Sequence, residues 1–223
     1  MTSPTAAFDG MAQATCDVLQ TAYQRQWITS RDGNASWREA CDLRWWITPS
    51  GARKHALQPQ DMKRCQGLGP DADPAEPLGV SGEYALHRAL HAQRLQRPTA
   101  VVHLHPTYTV AALYAGWDLS RICLEFPEIA RYTCVGPSVP ALAATSAELA
   151  AACEQAFLAC RCGQRPDIVG LDRHGVVAVA SDPWRAFEHI ERLEHICQMV
   201  LASGVRPSQA RLPDTQPLRQ EAA

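Results

Sequence analysis

Residues 99–105 read TAVVHLH, and this short stretch constrains the chain more than any other. β-branched residues at 99, 101 and 102 favour a strand, and along a strand residues two apart share a face. His103 and His105 therefore project together, while Leu104 turns back into the core. Two imidazoles on one face can present two nitrogen ligands to one metal ion, although a histidine pair can equally serve as hydrogen-bonded strand residues. A third ligand has to come from elsewhere, and His174 is the natural candidate. It lies in the polar break 172–175 between the apolar halves of DIVGLDRHGVVAVA, followed by Gly175, which permits a sharp turn. Three histidines with one open position form a catalytic rather than a structural zinc arrangement.

Amphipathic periods place helices around these strands. Met11, Ala14, Val18, Leu19 and Ala22 form the stripe of a first helix from Phe8 to about Gln26, with Asp9 as its N-cap. The polar cluster in WITSRDGNASWRE, residues 27–39, predicts a tight loop. Residues 45–48 read as a short strand stopped by Pro49-Ser50-Gly51, and residues 66–80 as a surface loop. Ser81 is placed to cap a helix from Gly82 to about Gln96, with Pro98 ending it. Pro106 suits the first turn of a helix over 107–115. Ser146 caps a helix reaching Ala159, and Asp182-Pro183 opens another to about Leu201 with Phe187, Ile190, Leu193, Ile196 and Val200 as its stripe. At 223 residues the chain suits one domain, expected over 1–203. Residues 204–223 carry three prolines and no apolar period, so they are expected to be a disordered tail.

Composition narrows the partners. Lys and Arg total 21 against 23 Asp and Glu, a net charge of −2, and the basic stretches Arg53-Lys54-His55 and Lys63-Arg64 read as solvated loop, so nucleic acid is excluded as a partner. No window approaches the ~20 apolar residues of a membrane span, and the opening residues lack a secretory pattern, so a cytoplasmic protein is expected. Nine cysteines at irregular spacing read as mostly reduced, buried thiols, with Cys160-Arg-Cys162 as a structural pair. Trp27, Trp37, Trp45 and Trp46 could line an aromatic pocket, but core packing is the more economical reading. Glu83, His87 and His91 share one helix face. A metal site there lacks a second acidic ligand, and the histidines beside Arg88 and Arg94 read as a half-exposed face. Glu83 differs, because it stands at a helix start beside Ser81 and Gly82, where free N–H groups attract anions and a carboxylate can project toward a cleft.

Five motifs in order, DGNAS at 32–36, ITPSG at 47–51, SGEYALH at 81–87, VVHLHP at 101–106 and LDRHGVVAVASDPWRAFEHIERLE at 171–194, resemble the class II aldolase/adducin family over most of residues 8–202. The resemblance implies an α/β fold, a single three-layer α/β/α domain around a central, largely antiparallel sheet. It also implies a cyclic homotetramer with active sites between subunits. His103, His105 and His174 match the family's zinc ligands, and imidazoles also suit Mn2+, Co2+ or Fe2+. Glu83 matches the catalytic acid/base, and Asn34 the asparagine that contacts the enediolate. Thr29 or Ser30, Ser50, Gly51 and Ser81 fall where phosphate-binding groups lie. Gly82 replaces a second family serine, and Arg31 could supply the charge that this hydroxyl does not.

The resemblance therefore implies a zinc-dependent aldolase that cleaves a ketose 1-phosphate, through a zinc-bound enediolate, to dihydroxyacetone phosphate and an aldehyde. One element is unmatched. Family aldolases place a tyrosine soon after the histidine strand, and here Glu125, Glu128 and Tyr132 lie nearby without a clean match. Epimerase relatives use a tyrosine near the C-terminus, and none follows Tyr132. A rival reading is decarboxylation of a 3-oxo acid sugar phosphate or a hydroxylated aromatic acid, which needs no acid on the aldehyde side. A sugar-phosphate dehydratase and a non-catalytic adducin-like module are further relatives; the module would be expected to have lost the histidines and Glu83, which this chain keeps.

Overall fold

The computed structural model describes residues 4–68, 76–159 and 164–205, with side chains described from residue 10 onward. The Cys160–Cys162 pair, and the expected tail beyond residue 205, lie outside the described residues. Among the described residues six strands, β1 (Asn34–Arg38), β2 (Trp45–Ile47), β3 (Lys63–Cys65), β4 (Thr99–Leu104), β5 (Ile168–Leu171) and β6 (Gly175–Ala180), form one sheet in the order β3-β2-β1-β4-β6-β5. Every ladder between them is antiparallel.

Seven helices among the described residues flank it: α1 (Pro4–Gln24), α2 (Tyr84–Ala92), α3 (Thr107–Tyr114), α4 (Leu119–Leu124), α5 (Pro127–Tyr132), α6 (Ala147–Leu158) and α7 (Pro183–Ser203). The strand alternation sorts the core into two layers. Ala100, Val102 and Leu104 of β4 pack with α1, α3 and α7, whereas Val101 packs with α2 and α6. This gives the expected three-layer α/β/α arrangement and sends His103 to the α2 side.

The loop expected over 27–39 is a correction. Its second half is β1, a central strand, whose Ala35 and Trp37 enter the α1/α7 core while Asn34, Ser36 and Arg38 face α2. A strand with one polar face reads as a loop when the polar residues are assigned to solvent; here they are buried. Trp37 stacks on its cross-strand partner Trp46 at 4.4 Å and 12°, and Trp45 and Trp37 are fully buried, in keeping with core packing. The basic Lys63-Arg64 pair lies exposed on the edge strand β3. Helices α4 and α5 were not anticipated. The first helix begins at Pro4, so Asp9 lies within it rather than capping it. Ser81 does not cap α2 either: the N-cap position is Glu83, whose N–H reaches Ser81 Oγ only at 3.4 Å.

Ser146 and Asp182 do cap α6 and α7, accepting from Leu149 N–H and Arg185 N–H. The buried Glu194 of α7 accepts from the backbone N–H groups of Tyr108 and Thr109 and from the Thr109 hydroxyl, satisfying donors that α3 leaves open. The seven described cysteines are all free thiols, five of them buried; burial pushes Cys16 and Cys65 up to about 12.

Arg38 is the most heavily bonded polar side chain of this scaffold. Although fully buried, it donates to the carbonyls of Glu39, Asp42, Arg94, Leu95 and Arg97, fastening the turn after α2 to the end of β1. Replacing Arg38 with Met keeps much of the volume and strands those carbonyls. A loss of at least about 3 kcal/mol in urea unfolding is expected, and a midpoint equal to that of the unaltered chain would refute this role.

Candidate metal centre

His103 leaves β4, His105 lies just beyond its end, and His174 stands in the turn joining β5 to β6. Their ligand nitrogens all lie within 4.8 Å of one another. His103 Nδ1 donates to the Val176 carbonyl at 2.9 Å, so its Nε2 lone pair faces the cluster, where His105 Nε2 sits 2.8 Å away. Nitrogens on a tetrahedral ion at ~2.05 Å stand about 3.3 Å apart, within the observed span. Burial, then the neighbouring imidazoles, push His105 down to about 3, and the same causes lower His174. Neutral imidazoles are the form that binds metal, so the three residues fit a divalent ion.

Gly175 is required here for space. A Cβ on it would lie 2.4 Å from the Leu104 carbonyl oxygen and 2.7 Å from His105 Cδ2. The left-handed residue of this turn is Arg173, with φ 56°, rather than the glycine expected to make it. Gly175 lets β6 approach β4 closely enough for His174 to join the pair.

Glu83 faces this cluster. Its Oε2 lies 3.4 Å from His103 Nε2 and its Oε1 3.5 Å from His174 Nε2, while Asn34 Nδ2 donates to Oε2 at 3.0 Å. Burial would raise the Glu83 carboxyl, but His103, the Asn34 hydrogen bond, His174 and His87 together outweigh it and hold the group below the usual range. The β1–β4 register sets Asn34 directly opposite His103. His87 and His91 are fully buried, not half-exposed as the sequence suggested: His87 meets Asn34 Oδ1 and Ser36 Oγ, and His91 meets the same Ser36.

A cavity of about 200 Å³ opens from the histidines toward Ser50, Gly51, Ser81 and Gly82. Lys54, read from sequence as solvated, is 2% exposed on its wall, where Nζ donates to the carbonyls of Arg31 and Ala52. Arg31 also lines the cavity and donates to the Gly51 carbonyl. No carboxylate pairs with either cation among the described residues. Thr145, in a left-handed conformation at φ 64°, stands 3.0 Å from where a Gly82 Cβ would be, so Thr145 fills the space a second serine would need. Thr29 and Ser30 do not line this cavity. Thr29 donates to Asp32 and faces a second cavity of about 600 Å³, bounded also by Tyr23, Trp27 and His105. Glu125, Glu128 and Tyr132 line neither.

The model of one family, the class II aldolase and adducin N-terminal domain, matches residues 13–201. The chain belongs to that family. Among solved structures, the chain superposes on YgbL of Klebsiella pneumoniae, described as a putative aldolase/epimerase/decarboxylase. The TM-score is 0.74 at 23% identity, covering 91% of this chain and 93% of that one. It superposes on L-fuculose-1-phosphate aldolase of Thermus thermophilus with a TM-score of 0.70 at 24% identity, covering 89% and 98%. A search of curated protein sequences finds no match. Within this class II aldolase fold, sequence reasoning passed over Thr145 and placed Lys54 and His87 on solvated or half-exposed surface. Each is an ordinary residue type whose placement depends on chain segments that meet only in three dimensions. No helix among the described residues is long and apolar enough to cross a membrane.

Two measurements follow from this geometry. Gly175→Ala is expected to cut bound zinc at least about tenfold, by elemental analysis against the unaltered chain, while helix content is retained; full metal content would show that the close approach is unnecessary. Burial, ahead of the raising pull of Glu83, takes His87 down to about 3 from 6.5. Its folded value lies below its unfolded one, so the unfolded chain binds the proton first and stability falls as pH drops below about 6.5. His87 alone should cost about 2 kcal/mol between pH 7 and 5. Urea titrations at the two values should show a smaller loss in His87→Gln; an equal loss would contradict a neutral buried ring.

Proposed function

We propose that this chain is a divalent-metal-dependent carbon–carbon lyase, acting as an aldolase that cleaves a ketose 1-phosphate to dihydroxyacetone phosphate and an aldehyde. The observation that carries this reading is one carboxylate, Glu83, placed within 3.5 Å of two of the three converging imidazoles at the head of a cation-walled cavity. Bound by His103, His105 and His174, zinc, or Mn2+, Co2+ or Fe2+, supplies Lewis-acid stabilisation of the charge left when a bond beside a carbonyl breaks. Glu83 exchanges the proton at the carbon that bore that bond, removing it in condensation and returning it in cleavage. Asn34 gives one amide hydrogen to Glu83 and keeps the other for a substrate oxygen. The third N–H of Lys54, the free donors of Arg31 and the hydroxyls of Ser50 and Ser81 hold the phosphate. The larger second cavity, beside His105, receives the aldehyde portion, with Tyr23 and Trp27 as its walls.

Aldol cleavage also needs a group that takes the proton of the hydroxyl becoming the aldehyde oxygen, the same group acting as the acid there in condensation. No tyrosine lines the metal cavity among the described residues, and Tyr23 lines only the second one, so in this reading the group is Tyr23 or comes from a neighbouring subunit of a homotetramer. The same observation favours a second reading, decarboxylation of a 3-oxo acid sugar phosphate. There the carbon–carboxylate bond breaks, its electron pair stays on the substrate, carbon dioxide leaves, and Glu83 protonates the carbon.

Zinc-loaded protein incubated with ketose 1-phosphates and oxo acids separates the readings. Dihydroxyacetone phosphate without carbon dioxide is the expected outcome, carbon dioxide alone transfers the assignment to decarboxylation, and neither product, with no bound metal, would leave an interaction module. Glu83→Gln should keep its metal and lose turnover about 10²–10⁴-fold, and an undiminished rate would remove Glu83 from the chemistry. Lys54→Met should raise KM for the phosphorylated substrate about tenfold; an unchanged KM would place the anion elsewhere.

A further inference from the structure

A buried polar seam leads away from Glu83 between β1 and α2, and most of it has no part in the chemistry above. Asn34, Ser36 and Arg38 alternate along one face of β1. Glu83, His87 and His91 recur every fourth residue on the facing side of α2. The side chains interleave as a single chain of contacts. Asn34 Nδ2 donates to Glu83 Oε2 at 3.0 Å, and Asn34 Oδ1 lies 2.5 Å from His87 Nε2. His87 Nδ1 lies 2.6 Å from Ser36 Oγ, which in turn lies 2.8 Å from His91 Nε2. Ser36, His87 and His91 have no exposed surface.

We infer that His87, in its Nε2–H tautomer, is a positioning residue that keeps the Asn34 amide turned with its NH2 group toward Glu83 and the reacting atoms. The direction of every bond follows from what each atom can do. An ionised carboxylate only accepts, so the amide nitrogen of Asn34 faces Glu83 and its oxygen faces His87. That oxygen also only accepts, so His87 Nε2 carries the proton. The ring is neutral in this burial, which leaves Nδ1 bare and obliges the Ser36 hydroxyl to donate to it. Ser36 Oγ then accepts from His91 Nε2–H. All donors run toward Glu83, and at the far end His91 Nδ1 is left bare. Arg38 Nε, on the same face of β1, is the other buried seam atom with no hydrogen-bond partner among the described residues.

An asparagine without such a neighbour can turn its amide over, and a turned Asn34 would aim its oxygen at the Glu83 carboxylate. His87 forbids this, because its Nε2–H would then meet an NH2 group. The helix spacing of four and the strand spacing of two thus serve one purpose, aligning a donor chain on the carboxylate. The inference rests on the lyase reading for the roles of Asn34 and Glu83, whereas the tautomer is a property of the folded protein and is measurable without turnover.

The test uses the full-length, zinc-loaded protein labelled with 15N-histidine, with ring signals assigned by substitution. His87 and His91 are each expected to appear as a neutral ring protonated at Nε2, and a His87 proton on Nδ1 would overturn the inference. In Ser36→Ala the Asn34 oxygen still needs a donor, so the His87 proton should stay on Nε2; a proton shared between both ring nitrogens would show that Asn34 does not set the tautomer. With a substrate in hand, His87→Leu should lower kcat at least about tenfold with KM within about twofold. His87→Gln, whose terminal N–H can still reach toward Asn34 Oδ1, should recover most of that loss. Leucine is the more apolar occupant of a buried site, so equal kcat values for the two variants would reduce His87 to packing. If no substrate turns over, the lyase reading fails while the ring spectrum still decides this one.

Discussion

The antiparallel pairing of β4 between β1 and β6 is the constraint on which the site depends. It sets Asn34 opposite His103 on one side and Val177 opposite His103 on the other, and the turn that feeds β6 delivers His174. A register slip of one residue would send His103 to the apolar α1/α7 layer and Leu104 to the site. The slip is opposed by the apolar faces themselves, since Ala100, Val102 and Leu104 are all fully buried on the far side. The geometry of the three-histidine cluster is therefore a by-product of core burial, with Gly175 supplying the clearance that the pairing needs.

On the α2 side of β1 the same pairing encloses polar groups instead of apolar ones. Burying Asn34, Ser36, Arg38, Glu83, His87 and His91 between one strand and one helix is costly unless each group finds partners. Most do: Arg38 takes backbone carbonyls at one end, Glu83 takes Asn34 at the other, and the two histidines share Ser36 between them. Such a network fixes side-chain orientation more narrowly than apolar packing would, because each donor tolerates only one partner type. The proposed lyase chemistry would gain from that rigidity, since its carboxylate must stay aligned while charge develops and disappears nearby.

Much of this was legible in residues 99–105 and 167–180. Alternation alone sent His103 and His105 to one face and Leu104 to the other, and the break at His174 supplied the third imidazole. Helices α6 and α7 were announced by Ser146 and Asp182, whose side chains make the caps the sequence suggested. β1 was hidden because polarity is a guide to solvent exposure only when no second layer covers it, and α2 covers Asn34, Ser36 and Arg38. His87 and His91 were read as half-exposed for the same reason, and Lys54 was lost in a short basic run although it lies buried on the cavity wall.

By itself the sequence determined the periodicities, the caps at Ser146 and Asp182, the three histidines, Glu83 and the family to which the chain belongs, because these are encoded in local spacing. Only the tertiary structure decided which polar residues are buried, that Lys54 and Arg31 converge on one cavity, that Thr145 takes the room left by Gly82, and that a donor chain runs from His91 to Glu83. Those facts depend on chain segments far apart in sequence meeting at hydrogen-bond distance. Such contacts are set by how layers pack on one another, and no local pattern in the chain carries that information.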